Sequence, residues 1–267
     1  MESARLLQVI TARLPDLPDE MADPSARHSR VRPEVERVVD TVLERAVRGL
    51  LLPGDHLPEA DLARDLGTSR SVAGAALRRL EDQGIVVDDG DHGARLVFFG
   101  SRRLRKILKV RFALERLAAV EIRAAASEGD DVYRPLTEVI DRMWTAAKAD
   151  DRYALACADQ QFHRTLCELS GNETLVRAWE QLACAVLIVF GLSTLYRPLG
   201  PVAADHEDLL RVVREGSAAD LDRMMYLHLF DTVLSCDLAA IVARRREQRL
   251  HPPGQDAGRG YPAAGVA

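Results

Sequence analysis

Between Glu34 and Leu50, the apolar residues Val35, Val38, Val39, Val42, Leu43, Ala46 and Leu50 recur three and four positions apart. That spacing lines one face of an α-helix, so a helix is predicted over 34–50. Leu52-Pro53-Gly54-Asp55 reads as a turn, and Pro58 opens a short helix with Leu62, Ala63 and Leu66 inward that stops at Gly67. Ser69 suits the N-cap of a third helix over 70–83, with Leu77 and Leu80 inward and Gly84 ending it. The period then shortens. Ile85-Val86-Val87 and Ala94–Phe99 are β-rich runs around Asp88–Gly93, a hairpin tip. Three helices followed by a two-stranded ribbon is the order of a winged helix-turn-helix, here residues 33–100.

From Ser101 onward strand alternation disappears. Candidate helices are 102–127, 130–149, 151–169, 173–195, 202–215 and 218–246, separated at Gly129, Asp150, Gly171-Asn172, Pro198-Gly200-Pro201 and Gly216. Short connections between long helices predict an antiparallel bundle of six to seven helices over 101–249. The fold class is therefore mostly α. Residues 1–32 open with Leu6, Leu7, Ile10 and Leu14 and continue into a Pro- and Asp-rich segment, a mobile arm by composition. Residues 250–267 carry three prolines and four glycines and are expected to be disordered.

Composition supports a globular chain. Of 267 residues, 47% are hydrophobic and 29% charged, which excludes a largely disordered protein. The longest apolar run, Ala183–Leu192, is too short to span a bilayer, and Glu2, Arg5, Arg13 and Asp16 interrupt any leader-like core. A cytoplasmic protein with no membrane partner is expected. Cys157, Cys167, Cys184 and Cys236 form no Cys-x-x-Cys pair and read as small core residues. The net charge of −5 gives no bulk electrostatic argument for nucleic acid.

Candidate chemistry is concentrated in the second unit. Asp159 and His163 lie four apart and so share a helix face, while His206 and His228 fall on two later helices. One carboxylate and three imidazoles suit a single divalent ion such as zinc, nickel or manganese, with positions left for water or an anion. Any one of these histidines alone is more often a surface or hydrogen-bonded core residue, and spacing by itself leaves the set open.

The chain also resembles a known family. Leu57-x-Glu59-x-x-Leu62-Ala63-x-x-Leu66-Gly67-x-Ser69-Arg70-Ser71, then Ala76-Leu77-Arg78-Arg79-Leu80-Glu81 and Gly84-Ile85-Val86, are similar to the winged helix of GntR-type bacterial regulators. The second unit resembles the helical FCD effector domain of the fatty-acid-regulator-like branch. Asp159-x-x-Phe162-His163, Ser170-Gly171-Asn172-x-x-Leu175, His206-x-x-Leu209-Leu210 and Met224-x-x-x-His228-Leu229 carry that likeness. The resemblance implies one divalent ion on Asp159, His163, His206 and His228, and a small carboxylate effector met by Arg111 in Val110-Arg111-x-x-Leu114-Glu115. A guanidinium fork suits such a carboxylate; a solvated face or an ion pair with Glu115 is the plainer reading of Arg111.

The DNA-reading stretch departs from the family pattern. Ala60 stands where relatives usually carry an arginine, and Ser71-Val72-Ala73-Gly74-Ala75 replaces the usual Thr-Pro-Val-Arg-Glu, so a second arginine has become Gly74. Arginine bidentate to guanine is the commonest specific base contact. Residues 31–100 hold nine Arg and no Lys against thirteen Asp plus Glu, and the wing tip carries Asp88, Asp89 and Asp91. Arg70, Arg78, Arg79 and Arg95 are the residues from which a basic stripe could form.

The leading expectation is a homodimeric transcription factor, a repressor by the resemblance, whose two winged helices read a palindromic operator. Ser69, Arg70 and Ser71 would sit at the groove, and Arg78 and His92 near phosphate. A carboxylate bound at the metal and Arg111 would shift the helix at 102–127 and respace the reading heads. The alternative is a metal-dependent enzyme on the same fold, acting on a small carboxylate or carbonyl, with Glu168, Asp205 and Glu207 near the motif positions. A purely structural metal is the third.

Overall fold

The structure, a computed structural model, describes residues 25–90, 93–126 and 131–250. Helix α1 runs Ser25–Val47 and contains Pro33, so it starts nine residues before the expected point. No proline or glycine lies between Pro24 and Pro33, and nothing but composition had marked that stretch as a linker. Of the described residues, those from Glu34 onward form one compact unit. Residues 1–24 of the expected arm and 251–267 of the expected tail lie outside the described residues.

Helix α2 (Glu59–Leu66) ends where Gly67 turns left-handed at φ 61°, its N–H closing on the carbonyls of Ala63 and Arg64. Helix α3 (Arg70–Asp82) starts as expected: Ser69 Oγ accepts from the Val72 N–H at 3.2 Å. A three-stranded antiparallel sheet follows, ordered β1 (His56–Leu57), β3 (Ala94–Leu96), β2 (Val86–Asp88). His56 and Val87 both pair with Arg95. Strand β1 was missed because two residues are too short for any alternation to register. Val38, Val42 and Ala46 of α1 are buried in one core with Leu62, Leu77, Leu80, Ile85 and Leu96.

The bundle comprises α4 (Ser101–Ala125), α5 (Arg134–Lys148), α6 (Arg152–Leu169), α7 (Glu173–Thr194), α8 (Gly200–Glu215) and α9 (Ala218–Tyr226). Among the described helices only α7 is long and apolar enough to cross a membrane. Its residues Ala185–Thr194 are all buried, which accounts for that apolarity as the property of a central core helix. The last expected helix, 218–246, is broken. After α9 comes a π-helical turn, Leu227–Asp231, then α10 (Thr232–Leu234), a bend at 235–237 and α11 (Leu238–Leu250). Asp237 restarts the helix by accepting from the Ala240 N–H at 3.0 Å, a local cap that apolar periodicity passes over.

Among the contacts that seat the winged helix on the bundle are one at Gly191 and one at Gly84. A Cβ on Gly191 of α7 would lie 2.6 Å from Val47 Cγ1 and 2.9 Å from Val47 Cα, so only glycine allows the end of α1 this close. Arg103 of α4 donates to the Gly84 carbonyl at 2.7 Å.

Candidate metal centre

Two helices and the π-turn bring four side chains together. Asp159 and His163 come from one face of α6, His206 from α8 and His228 from the π-turn, and one ligand atom from each lies within 4.8 Å of the others. The first three residues are buried and His228 is half-buried. His206 Nε2 stands 3.2 Å from Asp159 Oδ1, and His163 Nε2 lies 3.9 Å from the same oxygen. His228 Nε2 and His163 Nε2 face each other at 3.2 Å. Phe162 closes the group with ring edges against His163 and His206.

The far sides of the rings decide what the near sides offer. His206 Nδ1 lies 2.7 Å from the Val202 carbonyl, one turn back on α8, so Nδ1 carries the proton. His163 Nδ1 lies 2.8 Å from Glu115 Oε2, an ion-pair contact by distance in which the carboxylate favours the ring proton on that nitrogen. Both Nε2 lone pairs therefore turn toward Asp159 and His228. Acceptors this close, out of water, need either an extra proton or a cation between them. Asp159 Oδ2, His206 Nε2 and His228 Nδ1 are buried with no hydrogen-bond partner among the described residues. The donor set fits a divalent cation on that ground.

Electrostatics run the same way. Burial pushes the Asp159 carboxyl up, but the His206 contact and the charges of His163, His206 and Arg111 outweigh it and hold it below the usual range. Burial, then the Arg111 charge, drives His163 well below an ordinary imidazole, and burial with its two histidine neighbours does the same to His228. Both rings are neutral near pH 7, the form that coordinates metal.

Arg111 is 4% exposed, which removes the solvated-face reading. Its Nε donates to Glu115 Oε1 at 2.5 Å, so the ion pair with Glu115 is present. Its Nη2 is buried without a partner. Glu115 is fully buried and also accepts from Trp179 Nε1 at 2.8 Å. From sequence, Glu115 stands out only as the neighbour of Arg111. Its i,i+4 spacing from Arg111, parallel to that of Asp159 and His163, was the available signal. Of the carboxylates near the motif positions, Glu168 pairs with Arg164 at 2.9 Å and Glu207 accepts from the Trp144 indole N–H at 2.7 Å.

The residues considered for DNA form a separate group. Ser69, Arg70, Ser71 and Arg78 are exposed, and Ser69 Oγ lies 3.0 Å from Ser71 Oγ. Arg70 and Arg78 line a cleft of about 640 Å³ between α2, α3 and the hairpin, shared with Glu59, Glu81 and Asp88. The four-arginine stripe is cut down: Arg79 pairs with Glu36, and Arg95 lies 3.7 Å from Asp89. Glu59 fills the space over Gly74, its Oε1 at 2.6 Å from where a Cβ would stand. His92 lies outside the described residues.

Comparison with known proteins matches both units. Residues 34–95 match the gntR family of bacterial regulatory proteins, and residues 106–231 match the FCD domain. A probable D-xylose utilization operon transcriptional repressor of Paenarthrobacter nicotinovorans is 27% identical over 184 residues, 67% of this chain and 78% of that one. An HTH-type transcriptional regulator of Agrobacterium vitis is 30% identical over 115 residues, 43% of this chain and 67% of that one. Among solved structures, McbR/YncC of E. coli superposes with a TM-score of 0.61 at 18% identity, over 80% of this chain and 98% of that one. A GntR regulator from Rhodococcus sp. RHA1 gives 0.60 at 17%, over 79% and 98%. At that identity the two structures speak for the fold alone. The chain belongs to the GntR family of bacterial regulatory proteins: it is a DNA-binding transcriptional regulator whose helical bundle is an FCD domain.

Proposed function

We propose that the protein is a homodimeric repressor, working in the cytoplasm, whose hold on a palindromic operator is modulated by a small carboxylate bound beside a divalent cation. The observation that carries this reading is the convergence of buried, unpartnered atoms: Asp159 Oδ2 and His206 Nε2 at the cluster, and Arg111 Nη2 near it. Asp159, His163, His206 and His228 would hold the ion, zinc, nickel or manganese by donor chemistry. Bound, the ion supplies a Lewis-acidic partner for a carboxylate oxygen. Arg111 offers the second charge, and Glu115 holds its guanidinium in place.

Helix α4 links this site to DNA. Its inward face carries Arg111 and Glu115, and its start holds the Gly84 carbonyl through Arg103. A ligand drawn onto Arg111 pulls on α4 and so on the end of the recognition helix. The outward face of α4 exposes Val110, Leu117 and Val120, at helical spacing, an apolar stripe suited to a second copy of the chain. Two copies would present Ser69, Arg70, Ser71 and Arg78 of each head to successive half-sites, with His92 at the wing. The name of the Paenarthrobacter relative supports repression as the sense of control.

The test is selection from sheared genomic DNA by the metal-loaded protein at low and physiological salt, then titration of the enriched fragment. A recovered palindrome, released by one member of a small-carboxylate panel, supports the reading. No enrichment at either salt overturns it and moves attention to turnover of small carboxylates by the bundle.

A further inference from the structure

Helix α11 lies beyond residue 231, where the FCD match ends, yet it grips the winged helix. Arg246 Nη2 donates to the Pro53 carbonyl at 2.7 Å and to Asp55 Oδ1 at 3.1 Å. Arg249 donates from Nη1 to Asp55 Oδ2 at 2.7 Å and from Nη2 to the Gly49 carbonyl at 3.0 Å. Arg245 Nε reaches the same Gly49 carbonyl at 3.3 Å. Two guanidinium groups from one face of α11 thus take both oxygens of a single carboxylate.

Asp55 is wired into the sheet. Its Oδ2 accepts from the Leu52 N–H at 2.9 Å, and its carbonyl accepts from the Leu96 N–H at 3.0 Å. The Gly54 N–H returns to the Leu96 carbonyl at 2.7 Å. Leu96 ends the middle strand, so the grip of α11 passes to the whole wing. At its other end α11 is anchored by buried Leu238 and Val242, and the chain leads back through α10 to the π-turn carrying His228. Single π-turns are rare and cluster at functional sites.

We propose that α11 is a strap joining the Asp-His cluster to the reading head, with Arg246 and Arg249 on Asp55 as its latch. An isolated exposed ion pair contributes little, but here two arginines share one carboxylate and two backbone carbonyls as a network. A change in the position of His228 travels along α10 and α11 to the sheet, by a route separate from α4. The link to His228 rests on the metal reading proposed above; the latch does not.

The test compares the full-length protein with an R246A/R249A variant by amide hydrogen exchange, with and without zinc chloride, with zinc uptake followed by calorimetry. Without zinc, exchange at residues 49–57 and 94–97 is expected to be about tenfold faster in the variant, with α6 unchanged. Equal rates there, or a uniform rise across head and bundle, overturn the latch. With zinc, exchange at 49–57 is expected to slow in the wild type and not in the variant, while both take up zinc equally. A zinc response that survives in the variant, or zinc uptake with no response in the wild type, overturns the link to the site. Absence of zinc uptake by the wild type defeats the metal reading instead and leaves the zinc-free pair to decide the latch. D55N, which keeps an acceptor for the Leu52 N–H, should reproduce the zinc-free effect.

Discussion

Glu115 Oε2 and His163 Nδ1 stand 2.8 Å apart with neither side chain exposed. A residue of α4 thereby orients a ring of α6, and the same carboxylate holds Arg111 and Trp179. One buried group connects the candidate metal ligands to the candidate effector contact. Removing its charge should be felt at both.

Glu115→Gln is therefore expected to weaken zinc binding about 10–100-fold, the usual cost of losing an orienting partner of a metal-bound histidine. Titration against a chelating dye measures it. Unchanged affinity in a folded variant would take Glu115 out of that role.

Arg111→Gln is expected to keep zinc affinity within a few-fold while abolishing the shift in melting temperature that an active carboxylate gives the wild type. Glutamine can still donate to Glu115, so the cost should fall below the ~3–5 kcal/mol of breaking a buried pair outright. A carboxylate response equal to wild type would remove Arg111 from the pocket.

The metal-free protein should lose stability as pH falls below about 6.5. His163 and His228 have folded-state values well below their unfolded ones, so the unfolded chain binds more protons. Stability then rises with pH through that window, by up to about 1.4 kcal/mol per pH unit for each ring. Asp159, held low, adds its own loss only as pH falls below the ordinary carboxylate range. Urea unfolding at pH 5, 6 and 7.5 with a chelator present checks the sign. Flat stability across this range would mean that the rings accept protons in the folded state.

The clustering of the four candidate ligands was legible because each sits in a helical motif, and an i,i+4 pair declares its shared face without a structure. Their second partners were not. Glu115 meets His163 across two helices, and the Val202 carbonyl that fixes His206 is backbone, which no residue type announces. The winged helix could be read from caps and periods, except for the early start of α1 and for β1, whose two residues are too few to show a period. The π-turn and the bend before α11 were hidden because apolar positions continue through them. Burial of Arg111 was likewise unreadable, since an arginine on an amphipathic helix ordinarily faces water.

Leu117→Glu is expected to convert a dimer to monomers. It places a charge in the middle of the exposed α4 stripe, where Leu117 is 44% exposed in the single chain. Sedimentation velocity reads the outcome. A variant that sediments as the wild type does would move the contact between copies to another face.

Two glycines with crowded neighbours should respond oppositely to alanine. At Gly74 the obstacle is the end of the flexible Glu59 side chain, so Gly74→Ala should stabilise α3 by up to about 1 kcal/mol. At Gly191 it is the β-branched Val47, Cγ1 and then Cα, which has no flexible end to move aside, so Gly191→Ala should destabilise by about 1–3 kcal/mol, as overpacking does. Paired thermal melts compare them. A stabilising Gly191→Ala would show that α1 is free to retreat.

That contact at Gly191 has a mechanical meaning. Most helix crossings are cushioned by side chains that can change rotamer and absorb a small slide. Val47 meets bare backbone instead, and it is the last residue of α1, with the turn, α2 and α3 all following it. The joint is a fulcrum without padding. At this point no α7 side chain stands between the two helices, so a displacement of α7 would bear directly on the first helix of the head.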